Sequence, residues 1–223
     1  KGLKTGPDTP ALLYAYGGFN VSLTPTFSVA NLVWMEAGGV YALPNLRGGG
    51  EYGRDWHQAG TKERKQNVFD DYIAAAEWLF ANNYTSPQRL VLSGGSNGGL
   101  LVGACVTMEP DTFTGAIAEV PFVDVVSTMS DPSLPLTVTE WEEWGDPRHE
   151  PWASYMLSYS PYDNVAPRDY PPIYATAGLN DPRVGYHEPA KWVAKLRALP
   201  SPPTVFFRCE MGAGHGGPSG RYE

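Results

Sequence analysis

The sequence predicts an α/β protein built on a doubly wound, mostly parallel sheet. Short apolar runs alternate with segments whose apolar residues recur at helical spacing. The apolar runs are nearly continuous rather than alternating, as strands covered on both faces should be. The 223 residues fit one large domain with a substantial core, and a 42% hydrophobic and 18% charged composition is that of an ordinary globular chain. No internal repeat or low-complexity segment interrupts the pattern.

The first strand is expected at 11–16 (A-L-L-Y-A-Y), followed by a helix at 28–36 and a second strand at 39–45 (G-V-Y-A-L-P-N). Residues 48–53, G-G-G-E-Y-G, match the dinucleotide pattern G-x-G-x-x-G. The polar stretch R-D-W-H-Q-A-G follows instead of a helix, and Asp70 and Asp71 fall inside a helix rather than at a strand end, so a glycine-rich loop without a nucleotide is expected. A helix at 67–82 presents Val68, Tyr72, Ile73, Ala76 and Leu79 on one face. Strands at 89–93 and 115–121 flank a helix at 98–108. Residues 123–170 are rich in Pro, Trp, Tyr and acids and read as an insertion over one end of the sheet. A strand at 173–177, a helix at 187–198 with Pro189 in its first turn, and a strand at 204–210 close the series.

A net charge of −8, from 16 basic and 24 acidic residues, argues against nucleic acid or an anionic membrane as partner. Cys105 and Cys209 fall on an expected buried helix and buried strand, which favours free thiols over a disulfide or metal site. Neither a signal-peptide pattern nor an apolar run of the ~18 residues a membrane span needs is present, so the expectation is a cytoplasmic protein. No Cys/His cluster suggests a metal, and no cofactor is expected.

The stretch L-V-L-S-G-G-S-N-G-G-L-L-V-G-A (90–104) sets Ser96 between two pairs of glycines. It fits G-x-S-x-G and stands where that motif must stand, after a strand and before a helix. A nucleophile held on such a bend needs neighbours without bulk, and the turn brings the N–H of Asn97 and a helix N-terminus beside the hydroxyl. A serine hydroxyl also needs a base, itself oriented by a third group, and in this fold the chain order is Ser, then acid, then His. Of four histidines, His57 precedes the serine, His149 lies in a loop and His187 starts a helix. His215, in the glycine-rich loop after the last strand, is the expected base. Asp181, after the strand I-Y-A-T-A, is the expected acid, with Asp163 and Asp169 as competitors. Its role would be to orient and stabilise the imidazolium.

These residues sit in strings that resemble the prolyl oligopeptidase family of serine peptidases over essentially the whole chain. The strings are Y-G-G-F-N (16–20), N-L-R-G-G-G-E-Y-G (45–53), G-G-S-N-G-G-L-L-V-G-A (94–104), S-P-Y-D-N-V (160–165), N-D-P-R-V (180–184) and G-A-G-H-G (212–216). The resemblance implies an α/β-hydrolase catalytic domain with Ser96, Asp181 and His215 as its triad. It also implies an oxyanion hole in which the Tyr16 hydroxyl joins the Asn97 N–H. Up to about residue 105 the wording is similar to the prolyl oligopeptidase branch. From P-F-V-D-V-V (121–126) through P-L-T-V-T-E-W-E-E-W-G-D-P (135–147) to E-P-A-K-W-V-A-K-L-R (188–197) and G-H-G-G-P-S-G-R-Y (214–222) it is similar to the oligopeptidase B branch, which cleaves after Arg and Lys.

By that resemblance Glu140 and Glu142 would bind the basic side chain, Phe19 and Phe122 would sandwich it, and Arg183 would hold a substrate carbonyl. Carboxylates in a partly desolvated pocket do favour a guanidinium or ammonium, although an acidic run is also what a solvated helix start looks like. Thr24 and Thr26 stand where some oligopeptidase B sequences carry acids, which argues against a preference for paired basic residues. The resemblance further implies an N-terminal β-propeller, first strands and a closing helix that this chain lacks. It would then be a partial domain, truncated at both ends and stopping eight residues after His215. The expected activity is hydrolysis of short, basic peptides. The alternatives are proline-specific cleavage, ester hydrolysis, or an inactive domain that only binds.

Overall fold

Six short runs rich in Val, Ile, Leu, Ala and aromatic residues pair into one sheet in the computed structural model, which describes Gly2 and residues 4–217. In chain order the elements are β1 (Ala11–Tyr14), α1 (Val29–Glu36), β2 (Val40–Ala42), α2 (Arg54–Gln58), α3 (Gln66–Ala81), β3 (Leu90–Gly95), α4 (Asn97–Met108) and β4 (Gly115–Glu119). They continue as α5 (Val125–Met129), α6 (Thr137–Trp144), α7 (Trp152–Tyr159), β5 (Ile173–Gly178), α8 (His187–Arg197) and β6 (Val205–Glu210), with short 3₁₀ turns at Lys62–Arg64, Pro87–Arg89 and Pro110–Thr112. The sheet order is β2-β1-β3-β4-β5-β6 and every pairing is parallel. This is the α/β-hydrolase architecture that the sequence predicts.

The strand order reverses at β1, which lies between β2 and β3. Right-handed crossovers therefore set α1 on one face of the sheet and α3, α4 and α8 on the other. The core fills the second face. Leu13, Leu92, Ala116, Ala118, Ile173 and Ala175 from the strands meet Val68, Phe69, Tyr72, Leu100, Leu101, Trp192 and Leu196 from the helices. The buried Tyr72 hydroxyl donates toward the Leu13 carbonyl at 2.6 Å and lies 3.1 Å from that of Ser93, pinning α3 across β1 and β3.

The opposite face departs from expectation. Leu12, Tyr14, Val91 and Ile117 are only half-buried and Phe206 is 62% exposed, because α1 alone covers that side among the described residues. Cys209, on the core side of the edge strand β6, is half-buried rather than buried because no strand flanks it there among the described residues, while Cys105 is fully enclosed. The stretch after the glycine-rich loop is also helical, as α2, where a polar loop is expected. The 123–170 insertion is itself three helices, α5 to α7, packed over the carboxyl end of the sheet.

Candidate active site

A crevice outside the carboxyl ends of the strands is where a parallel sheet binds ligands, at the point where strand order reverses. Ser96 stands there, between β3 and α4, with φ 57° and ψ −117°. A side-chain-bearing residue reaches that conformation only under strain, at a cost of about 1–3 kcal/mol, and the surroundings over-determine it. The Ser96 N–H donates to the Glu119 carbonyl at 2.8 Å, and its own carbonyl accepts from the N–H groups of Gly99 (2.9 Å) and Phe122 (3.1 Å). Bulk is excluded on both sides. A Cβ at Gly94 would lie 2.3 Å from the Gly98 carbonyl oxygen, and one at Gly98 would lie 2.6 Å from that of Ala15.

Asp181 follows β5 and its side chain is fully buried. One carboxylate oxygen accepts from the N–H groups of Arg183 (2.8 Å) and Val184 (3.0 Å), and the other meets His215 Nδ1 at 2.7 Å. Asp163 and Asp169 make no such contact with His215. The loop bearing His215 is tied to the end of β5 by Leu179 N–H to Glu210 and Asn180 N–H to Ala213, each at 3.0 Å. The approach is close enough that a Cβ at Gly178 would fall 2.4 Å from the Gly214 oxygen. With Nδ1 facing a carboxylate, the ring carries its hydrogen there and leaves Nε2 as the basic nitrogen. Ser96 and His215 line the same cavity of about 1020 Å³. Among the described residues they are not within hydrogen-bond geometry, a separation common before substrate enters such a site.

Tyr16 and Ser96 line both that cavity and a second one of about 590 Å³. Burial lifts the Tyr16 hydroxyl above its ordinary pKa and the nearby Glu140 charge lifts it further, while a hydrogen bond with Ser96 pulls it back. The second cavity holds Phe19, Phe122, Glu140, Trp144, Asp181 and Arg183. Phe19 and Phe122 share one aromatic neighbour. Both pack on Trp144, at centroid distances of 5.5 and 5.3 Å. The Trp144 indole N–H donates to Glu140 at 3.1 Å. Burial raises the Glu140 carboxyl above its usual range, opposed by that hydrogen bond and by Arg183. The Arg183 guanidinium, exposed at the rim, makes no hydrogen bond among the described residues.

Glu142 lies apart from Glu140. The acidic run is helical, and residues two apart on a helix point about 200° from each other. Glu140 therefore faces the cleft while Glu142 is exposed on the far side, against a separate hollow. Glu143, passed over in the sequence, is buried instead and accepts from the Phe19 N–H at 2.8 Å and meets His57 Nε2 at 2.7 Å. Trp144 was equally hidden, although its spacing of four residues from Glu140 on a helix is a signal in E-W-E-E-W. The glycine-rich loop also gains a role. Its backbone braces the segment after β1 through Asn20 N–H to Gly48 (3.2 Å) and Gly50 N–H to Val21 (3.2 Å). Among the described residues no group of three or more His, Cys, Asp or Glu side chains is placed to hold a metal ion.

A sequence profile of the prolyl oligopeptidase family matches residues 25–223. The chain belongs to this family. Prolyl oligopeptidase relatives include Protease 2 of Moraxella lacunata, 51% identical over 99% of this chain and 32% of the relative. Prolyl endopeptidase of Elizabethkingia miricola is 45% identical over 97% of the chain and 31% of the relative. Among solved structures, oligopeptidase B from Leishmania major superposes with a TM-score of 0.93 at 47% identity, over 96% of this chain and 30% of that one. The chain thus spans about a third of the length of the prolyl oligopeptidase relatives it matches. This family is one of serine peptidases, and the similarity reaches relatives named oligopeptidase B as well as ones named prolyl endopeptidase.

Proposed function

We propose that this chain carries the hydrolytic centre of a serine oligopeptidase that cleaves short peptides after Arg or Lys. The observation that carries the reading is the buried Asp181 carboxylate, saturated by two backbone N–H groups and His215, beside a cavity that His215 shares with the strained Ser96. Ser96 Oγ attacks the scissile carbonyl carbon as His215 Nε2 takes its proton. The Tyr16 hydroxyl and the Asn97 N–H hold the resulting oxyanion. Collapse breaks the C–N bond, and Nε2 passes its proton to the leaving amine. Water then attacks the acyl-enzyme, giving its proton to Nε2, and collapse breaks the acyl C–O bond as Nε2 returns that proton to Ser96 Oγ and the carboxylic acid leaves. Asp181 stays ionised throughout and keeps the imidazole in one tautomer. Arg183 holds a substrate carbonyl at the rim.

Specificity follows from one carboxylate in an aromatic setting. Glu140, oriented by Trp144, accepts the guanidinium or ammonium of the residue before the cut, while Phe19, Trp144 and Phe122 cover its alkyl stem and planar head. A second reading rests on the same rings, since three aromatic faces would also take a proline ring. The experiment sets two fluorogenic peptides side by side, one with Arg and one with Pro before the bond, with Ser96→Ala as control. Arg cleavage lost in the variant is the expected result. Pro cleavage lost in the variant would keep the triad and reassign the pocket, and hydrolysis that survives in the variant would remove Ser96 from the chemistry.

A further inference from the structure

Lys65, in the K-E-R-K-Q-N run where α3 begins, is 1% exposed. Its Nζ donates to the Gly17 carbonyl at 3.0 Å and to Asn97 Oδ1 at 3.2 Å, and it lies 4.7 Å from the centroid of the Trp144 ring. An ammonium has three N–H bonds, and these three directions use all of them. The Asn97 amide completes the chain of contacts, with Nδ2 donating to the Tyr16 carbonyl at 2.6 Å. The fit is tight enough that a Cβ at Gly18 would fall 2.7 Å from Asn97 Nδ2. The link runs from Gly17 through Lys65 and the Asn97 side chain to Tyr16, so it joins the two residues whose hydroxyl and N–H face the developing oxyanion.

The Gly17 carbonyl and Asn97 Oδ1 need a donor there, which a neutral group could also supply without a charge. Burying an ammonium is costly unless a carboxylate pairs with it, and a methionine would fill the same space without that cost, offsetting the loss of a donor to Gly17 and Asn97. Among the described residues Lys65 forms no ion pair. The nearest carboxylate, Glu143 of α6, is engaged by the Phe19 N–H and by His57 of α2. The other titratable groups around it are Tyr155 of α7, Tyr16 through the Asn97 amide, and Glu63 and Arg64 on its own segment. Burial pushes the Lys65 pKa down to about 8, against the pull of Glu143, so at neutral pH the charge is retained.

We infer that Lys65 is a positioning residue for the oxyanion hole, fixing the separation of the Tyr16 hydroxyl and the Asn97 N–H and setting a positive charge behind them. This rests on the reading of Ser96 as nucleophile given above. The test measures kcat and KM on the Arg peptide from about pH 6 to 10 for the unmodified chain, Lys65→Met and Ser96→Ala, with thermal unfolding of each. Lys65→Met is expected to lower kcat by about 10–100-fold while KM stays within about twofold and the Tm does not fall. In the unmodified chain kcat is expected to drop above about pH 8 toward the level of the variant, and the variant is expected to lack that drop. If Lys65→Met keeps its kcat, or keeps the alkaline drop, while Ser96→Ala is inactive, the inference alone is overturned. A variant that does not fold overturns it too, by making Lys65 a structural residue. Hydrolysis that survives Ser96→Ala overturns the serine reading, and this one with it.

Discussion

Glu140 and Glu142 look interchangeable in E-W-E-E-W, yet one is cleft-lining and the other exposed. Glu140→Gln is expected to cut kcat/KM for Arg peptides by about 10–100-fold, the worth of a charge-assisted contact in a partly desolvated cleft. Glu142→Gln should stay within about twofold, as a surface substitution does. Steady-state kinetics on the Arg peptide checks both, and equal losses would return Glu142 to the pocket. Ser96, Asp181 and His215 were legible as single residues because each carries a local signature: a glycine-flanked bend, an acid after a strand, a histidine in a glycine-rich loop. Lys65, Glu143 and Trp144 were not. The partners of Lys65 lie 48 and 32 residues away, and a lysine in a charged run gives no local sign of burial. Trp144 and Glu143 depend on helix phase, which shows only once the 137–144 segment is known to be a helix.

At the scale of elements, the β3–α4 turn is where sequence and geometry constrain each other most. Gly94→Ala would drive a Cβ into the Gly98 carbonyl oxygen at 2.3 Å, backbone against backbone with nothing free to rotate away. The expected loss is about 1–3 kcal/mol of stability together with hydrolysis, as the strained Ser96 conformation relaxes. Gly216→Ala, beside His215, meets nothing within 4 Å and is the control, expected within about 0.5 kcal/mol. Urea unfolding midpoints decide between them, and equal effects would mean that composition rather than packing makes the turn glycine-rich. The same contrast shows what the sequence could carry. All six strands were legible within a few residues because long apolar runs end at turn signals. Helices α5 to α7 were not, since Pro, Trp and Tyr weaken their pattern and tertiary packing supplies the rest. The continuous apolar strands also promised cover on both faces, while packing against α3, α4 and α8 buries only one.

For the molecule as a whole, Lys65 makes stability depend on pH in a direction that can be worked out. Its folded pKa, about 8, lies below the ordinary lysine value near 10.4. Below pH 8 both states are charged there and the native state bears the cost of burial. Between about 8 and 10.4 the unfolded chain binds a proton that the native chain lacks, so stability rises with pH by up to about 3 kcal/mol. Lys65→Met removes that rise. Comparing urea unfolding of the two chains at about pH 7 and 9.5 should show the variant's advantage shrinking as pH increases, and a constant difference would mean an ordinary, solvated lysine. That Tyr16 and Ser96 line both cavities bears on how the centre can be occupied. A ligand with one arm in the chamber of Glu140 and the other in the chamber of His215, joined across Ser96, would bind its second arm intramolecularly. Its avidity would then be governed by effective concentration, and a linker matched to the span across Ser96 would serve it better than any lengthening of either arm.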